Sequence, residues 1–268
     1  MKEILLRTSS GLLYVFLIVT SLILSEPSFI LLIFLFSALA TYEFQKLIRY
    51  KSPLPLLVLS LLFFNFYTTN IDNKILNILI IPVVLTNLYL IYWLFYSKKI
   101  SFNHYQKIHF SILYLVGSSF FIIATIRLNK DITFWATLYI YILIWINNIF
   151  AFVVGKLIGK TSMMKSVSPN KTWEGFFGGA IFCMFASIAF FQFTNSQFPL
   201  WFYLSSAALI AILATVGDLI QSKFKRLAKV KDSGSLIPGH GGFFDRMDSV
   251  IFTAPIIYLF NTIFNYVS

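Results

Sequence analysis

Nine apolar runs separated by short charged joints constrain this chain more than any other feature. They lie near residues 10–25, 28–43, 54–68, 75–96, 108–126, 132–155, 175–193, 200–220 and 249–267. About 20 residues of helix cross a bilayer's hydrocarbon core, so 268 residues allow roughly nine or ten crossings. Composition closes the alternatives. The chain is 58% hydrophobic and 12% charged, with a mean hydropathy of +0.81. A soluble domain carries about twice that charged fraction, and a globule of this size cannot hide so much apolar surface. A soluble enzyme, a coiled coil and a disordered chain are excluded. The expected fold is all-α: a polytopic integral membrane protein of about nine transmembrane helices. Residues 1–130 form an N-terminal set of spans. Residues 131–268 form a C-terminal set with two long joints, 156–174 and 221–248. The first two runs are short and split only by Glu26-Pro27, so they also read as one tilted hairpin.

Charge sorting supports the count. With nine spans, 18 of the 21 Lys and Arg fall at one face, and only Lys74, Arg127 and Lys130 at the other. Basic joints stay in the cytoplasm, which puts the N-terminus inside and the C-terminus outside. Basic residues precede the first run and no small-residue cleavage site follows it, so it reads as an uncleaved signal anchor. The net charge of +11 fits loop bias or anionic phosphate chemistry, and no nucleic-acid partner is expected. The lone Cys183 excludes a disulfide framework and a Cys-based zinc site.

Charge that the spans lack is concentrated in 217–248, GDLIQSKFKRLAKVKDSGSLIPGHGGFFDRMD. Asp218 lies near the end of an apolar span, where an ionised carboxylate must be paired, hydrated or metal-bound. Asp245 and Asp248, three apart, share a face if the last helix starts just before them. Asp218 with Asp245, and Asp248 beside them, suit a Mg²⁺ ion, which takes one or two carboxylates plus phosphate oxygens. The same acids would serve equally to neutralise nearby Lys and Arg. Lys225, Arg226 and Lys231 suit phosphates, or a plain positive-inside loop. The Pro238-Gly239-His240-Gly241-Gly242 turn lets consecutive amides face an anion; His240 either donates to a phosphate or braces the turn. In SVSPNKTWEGFFGG (166–179), Thr172 reads as a helix N-cap, Lys171 sits at that N-terminus, and Gly178-Gly179 permit close helix packing. Asn147 and Asn148, at lipid depth, need partners across helices or a polar cavity.

These residues carry a resemblance. Ser222, Lys225-Arg226, Lys231-Asp232, Gly234, Ile237-Pro238, His240-Gly241-Gly242, Asp245-Arg246 and Asp248 resemble the signature of the phosphatidate cytidylyltransferases (CDP-diacylglycerol synthases). Gly217-Asp218-Leu219, and Ser168-Pro169 with Lys171-Thr172-Trp173-Glu174-Gly175, are similar to further family segments. Glu43 in Ala40-Thr41-Tyr42-Glu43-Phe44 is a weaker echo. The resemblance covers about 145–250; the N-terminal half matches mainly in hydropathy. It implies that CTP and phosphatidate give CDP-diacylglycerol and pyrophosphate, with Mg²⁺, and K⁺ as an option beside it, at Asp218 and Asp245. It implies phosphate contacts from Lys171, Lys225, Arg226 and Arg246. Asp232 and His240 would position loop or nucleotide, and Asp248 would orient Arg246 or the metal shell. Ser168, Asn148, Ser222, Lys231, Gly241 and Gly242 would line the substrates.

One position departs. Where the family usually has an Asp, in Trp-x-x-Asp before Gly-Lys-x-x-Gly-Lys, this chain has Trp145-Ile146-Asn147-Asn148, then Gly155-Lys156 and Gly159-Lys160. An amide carbonyl ligates a hard cation but brings no charge. The expected setting is a bacterial inner membrane with the site facing the cytoplasm and membrane lipids as surroundings; a homodimer stays open. Two other readings fit less of the pattern: a CTP-dependent enzyme on another lipid, such as an archaeol-type phosphate or a polyprenol kinase, and a transporter. Against the transporter, charge gathers at one face rather than the midplane, and paired half-repeats are absent.

Overall fold

The computed structural model describes residues 2–69, 71–96, 101–127, 133–194, 198–237, 239 and 241–267. Nine helices follow one another among the described residues: α1 (Lys2–Leu24), α2 (Glu26–Leu47), α3 (Leu54–Thr68), α4 (Asn73–Tyr96), α5 (His104–Arg127), α6 (Thr133–Ile158), α7 (Trp173–Thr194), α8 (Leu200–Leu227) and α9 (Phe244–Val267). The middle of α5, Phe110–Gly117, is wound as a π-helix. By length and composition seven of them can cross a membrane: α2, α4, α5, α6, α7, α8 and α9. The apolar parts of α1 and α3 are shorter. The chain is therefore a helical membrane protein, and its outer surface agrees. Phe64, Phe152, Leu157 and Phe185 are all more than half exposed, a lipid-facing surface rather than a water-facing one.

Local chemistry sets the helix limits. Ser25 caps α2 by accepting from the Ser28 amide, with Pro27 in the first turn, so α1 and α2 are separate helices joined through one residue. After α8 the chain turns at Lys229, whose φ is +58°, and the Val230 amide bonds back to the Lys225 carbonyl (3.0 Å). That left-handed turn ends the helix and sends 231–243 back over its end. The long joints are thus shorter than expected: α6 runs to Ile158, α8 runs to Leu227 and α9 begins at Phe244.

The all-α bundle carries one short hairpin that was not expected. Residues Ser162–Met164 (β1) and Ser168–Thr172 (β2) form an antiparallel hairpin between α6 and α7. Its sequence, SPNKT in β2, has no strand-like apolar alternation. Its ends are tied instead: the Trp173 amide donates to the Thr161 carbonyl (2.9 Å), and the Thr161 amide meets both Glu174 oxygens (3.1 Å).

Long-range contacts show which helix ends lie together. Lys107 Nζ donates to the Arg49 carbonyl (3.2 Å), joining the end of α2 to the start of α5. At the opposite end, Arg127 pairs with Glu26 (2.8 Å) and donates to the Thr69 carbonyl (3.2 Å). Lys223 of α8 caps the last turn of α4 through the Trp93 and Leu94 carbonyls. Lys225 reaches Asp245, so α8 ends where α9 begins. The ends of α2, α4 and α8 and the starts of α5 and α9 therefore share one end of the bundle.

Two kinds of packing hold the bundle. In the N-terminal half, Phe224 of α8 sits among Phe44, Trp93, Phe102 and Tyr114 at centroid distances of 4.8–5.9 Å. Phe244 joins the same cluster against Phe44 (5.4 Å). In the C-terminal half, α6 and α7 meet through glycines. A Cβ at Gly175 would lie 2.5 Å from the Ala151 carbonyl, and one at Gly179 2.7 Å from the Asn147 carbonyl. Gly178 and Gly179 thus do what their sequence suggests.

Candidate active site

The ends of α6 and α8, the starts of α7 and α9 and the hairpin enclose a cavity of about 860 Å³. Five cations face it, Lys156, Lys160, Lys171, Lys225 and Arg246, together with four acids, Asp218, Asp232, Asp245 and Asp248. Ala151, Phe152 and Phe176 give one wall an apolar lining. Phe152 is also 69% exposed on the outside of the bundle, so that wall borders the lipid-facing surface.

Backbone geometry brings the charges together. Gly217 lets α8 touch α9, since a Cβ there would stand 2.7 Å from the Phe252 Cβ. The next residue, Asp218, therefore lies opposite the first turns of α9, which carry Asp245, Arg246 and Asp248. On the other side Thr172 Oγ1 accepts from the Gly175 amide (3.1 Å), the expected N-cap of α7, and Lys171 projects from just before that start.

Two ion pairs organise the floor. Lys171 Nζ lies 2.6 Å from Asp218 Oδ2 and Lys225 Nζ 2.7 Å from Asp245 Oδ1. Their exposure differs: the Lys171 and Asp218 side chains are 26% and 31% accessible, those of Lys225 and Asp245 only 13% and 7%. The first pair faces the opening and the second is the inner one. Asp245 divides its two oxygens between two tasks. Oδ1 accepts from Lys225 and from Gln221 Nε2 (3.0 Å), toward the cavity. Oδ2 accepts from the Ser233 amide (2.8 Å), the Ser233 hydroxyl (2.8 Å) and the Gly242 amide (2.9 Å), and so holds the loop.

These features suit a hard cation. Two carboxylates facing one cavity each already seat an ammonium, and Asp248 is buried beside them on α9. Among the described residues no group of three or more His, Cys, Asp or Glu could cage an ion. The donor set thus fits an ion completed by phosphate and water rather than one held by protein alone.

A profile of the cytidylyltransferase family matches residues 5–264. The chain belongs to the cytidylyltransferase family. It is similar to proteins named phosphatidate cytidylyltransferase from Staphylococcus haemolyticus (strain JCSC1435; 39% identity), Staphylococcus aureus (strain COL; 38%) and Staphylococcus epidermidis (strain ATCC 12228; 37%). Each match runs over 120 residues, 45% of this chain, and covers 46% of the relative's length, about half.

Of the residues singled out from sequence in this family member, Asn148, Lys171, Asp218, Lys225, Asp232, Asp245, Arg246 and Asp248 line the cavity. Five others stand behind it. Ser222 donates to Asp218 (3.3 Å). Arg226 bridges the hairpin and the loop, donating to the Val167 (3.1 Å) and Val230 (3.3 Å) carbonyls. Ser168 belongs to β2. The amides that Gly241 and Gly242 were expected to offer a phosphate serve the protein's own carboxylates: Gly242 donates to Asp245, and Gly241, at φ +80°, packs against it. Lys231 lies exposed in the loop, outside the cavity lining. His240, like Pro238, lies outside the described residues.

Asn147 and Asn148 do both things expected of them. Asn147 donates to Thr215 on α8 (3.4 Å), and Asn148, on the cavity wall, donates to Ser249 on α9 (3.4 Å). Sequence reasoning assigned no role to Lys156, Lys160, Gln221 or Glu43. The first two each follow a glycine, Gly155 and Gly159, around the end of α6 at Ile158; that was the available signal. Gln221, fully buried in an apolar stretch, gave none.

Proposed function

We propose that this protein is a phosphatidate cytidylyltransferase. It would transfer the cytidylyl group of CTP to phosphatidate, giving CDP-diacylglycerol and pyrophosphate for phospholipid synthesis. The observation that carries this reading is the cavity itself: five cations and four acids at one end of a membrane bundle, against an apolar wall. Few substrates need both. A lipid phosphate and a nucleoside triphosphate do, because their anionic groups repel and one of them carries acyl chains. The relatives' names support the same reaction.

In the proposed reaction an oxygen of the phosphatidate phosphate attacks the α-phosphorus of CTP. The bond from that phosphorus to the bridging oxygen breaks, and the electron pair leaves with pyrophosphate. The nucleophile is already an oxyanion, so no general base is required. Lys171, Lys225 and Arg246 would donate to phosphate oxygens, with Lys156 and Lys160 extending the positive wall toward the opening. Charge stabilisation and alignment of this kind are the main protein contribution to phosphoryl-type transfer. Asp218 and Asp245, with Asp248 behind them, would hold Mg²⁺, and K⁺ if it is used. A bound divalent ion supplies charge neutralisation for the triphosphate and the leaving pyrophosphate. Asp232 would position the loop or nucleotide.

The proposed setting is a bacterial inner membrane crossed nine times by α1–α9, with the N-terminus and the cavity in the cytoplasm. The 18-to-3 bias of Lys and Arg between the two faces supports it. The deciding experiment uses purified full-length protein in nanodiscs, CTP labelled at the α- or γ-phosphate, and phosphatidate, with and without Mg²⁺. The expected result is α-label in the lipid fraction, unlabelled lipid from γ-labelled CTP, and dependence on Mg²⁺. Transfer of γ-label would identify a lipid kinase, and no transfer of either label would overturn the reading.

A further inference from the structure

The buried carboxylate of Glu43, on α2, is the one acid of the site region contributed by the N-terminal half among the described residues. It is 3% exposed. Its Oε1 accepts from the Phe243 amide (3.1 Å) and its Oε2 from the Phe244 amide (3.0 Å), and the Ser233 hydroxyl oxygen stands 2.9 Å from Oε2. Phe244 opens α9. Amides at a helix start have no partner within the helix, and here a carboxylate from another helix supplies one. Ser233 Oγ also stands 2.8 Å from Asp245 Oδ2, so a single hydroxyl links Glu43 to the acid of the inner ion pair.

The loop is shaped to admit this side chain. A Cβ at Gly234 would lie 2.5 Å from Glu43 Oε1, and one at Gly242 would collide with the same carboxylate. Part of the glycine content of the 232–242 segment is therefore there to let Glu43 in. The residues that follow the clamped amides, Asp245, Arg246 and Asp248, all face the cavity.

We propose that Glu43 is a positioning residue for the transfer reaction: it anchors the start of α9, and through Ser233 the Asp245 carboxylate, at the place where they face Asp218 and Lys225. The inference rests on the proposed function for its kinetic consequence. Its structural content stands apart from it. Packing alone would not need a carboxylate in this place, since the neighbouring Phe44 already contributes the apolar contact to Phe244.

Glu43→Gln keeps the size of the side chain but replaces one acceptor oxygen with an NH₂ group that faces a donor. The test compares Glu43→Gln, Glu43→Ala and Ser233→Ala with Phe44→Leu, which weakens the same junction without touching the loop. Each is measured in nanodiscs for Tm, kcat, KM for CTP and hydrogen exchange. Misplacement of reacting groups by about 1 Å costs on the order of 100-fold. Glu43→Gln is expected to lower kcat on the order of 10- to 100-fold with KM for CTP changed less than about threefold, and to speed exchange across 241–248. Phe44→Leu, at an equal or larger fall in Tm, should keep kcat per folded molecule. Glu43→Ala should exceed Glu43→Gln, and Ser233→Ala, which removes the link to Asp245 but keeps the clamp on the α9 amides, should lower kcat less than either. If kcat loss merely tracks Tm across the four variants, the positioning role is overturned. If wild type transfers no cytidylyl group, the function reading fails by itself. The anchoring claim is then decided by exchange alone, and unchanged exchange across 241–248 in Glu43→Gln would overturn it.

Discussion

Ring packing runs through both halves of the bundle, and close main-chain contacts at glycines set the α6–α9 half apart. Helices α1–α5 pack through large rings, as where Phe44, Trp93 and Tyr114 surround Phe224 of α8. Helices α6–α9 add to rings of their own, such as Phe202 against Phe260 and Phe264, close main-chain contacts at Gly175, Gly179 and Gly217. Rings fill space and tolerate small shifts. Glycine contacts bring main chains together, and so fix where the side chains next to them stand. All but one of the acids around the site come from the second half: Asp218 follows Gly217, and Asp245 and Asp248 lie on the helix that Gly217 touches. The first half contributes one carboxylate, Glu43. The comparison teaches that the chemistry sits where close glycine contacts are added to the ring packing, because those contacts fix helix positions.

That division makes graded predictions. Asp218→Ala should have the largest effect, lowering cytidylyl transfer by about 1,000-fold or more, because the site loses a carboxylate and leaves Lys171 without its acid. A label-transfer assay that retained a tenth of wild-type turnover would break the comparison. Lys171→Ala should cost on the order of 100-fold, as loss of one aimed donor does, with partial recovery in Lys171→Arg. Phe224→Ala tests the other half. It should destabilise the protein by about 3–5 kcal/mol, as large-to-small changes in a packed core do, and leave turnover per folded molecule within about threefold; thermal unfolding followed in detergent, with activity normalised to folded protein, reads both. Asn148→Asp should have the smallest effect, equal or modestly higher turnover, since it restores a charge to a cavity wall that already faces Ser249. A large loss there would show that the amide, rather than the acid, suits this cavity.

Some of this was open to sequence reading, and the reasons are specific. The helices were legible because the apolar runs are separated by charged joints and seven of the helices are long and apolar enough to cross a membrane. The N-cap at Thr172 and the close packing at Gly178-Gly179 were legible because caps and small-residue contacts act over a few residues. The charged stretch at 217–248 stood out because charge is costly in such a chain. The hairpin at 162–172 was missed because its strands are held by end contacts to Glu174 and Thr161, not by apolar alternation. Charge and the family resemblance mark Arg226 for phosphate, and neither shows that its guanidinium also spans the Val167 and Val230 carbonyls. The glycines of the signature loop were read as an anion cradle; the anions they meet are Asp245 and Glu43.

The sequence by itself determined that this protein lives in a membrane as helices, that its basic residues gather at one end, and that acids and lysines there suit phosphate chemistry. These follow from local quantities: hydropathy, charge and cap residues. Only the tertiary structure decided which acid holds which lysine, and that Glu43, 190 residues before Ser233, reaches into the signature loop. A helix buried in lipid and protein is apolar on every side, so its sequence does not reveal which face turns toward which neighbour. That rotation, set by long-range packing, is what turned a modest resemblance at Glu43 into a buried clamp on the start of α9.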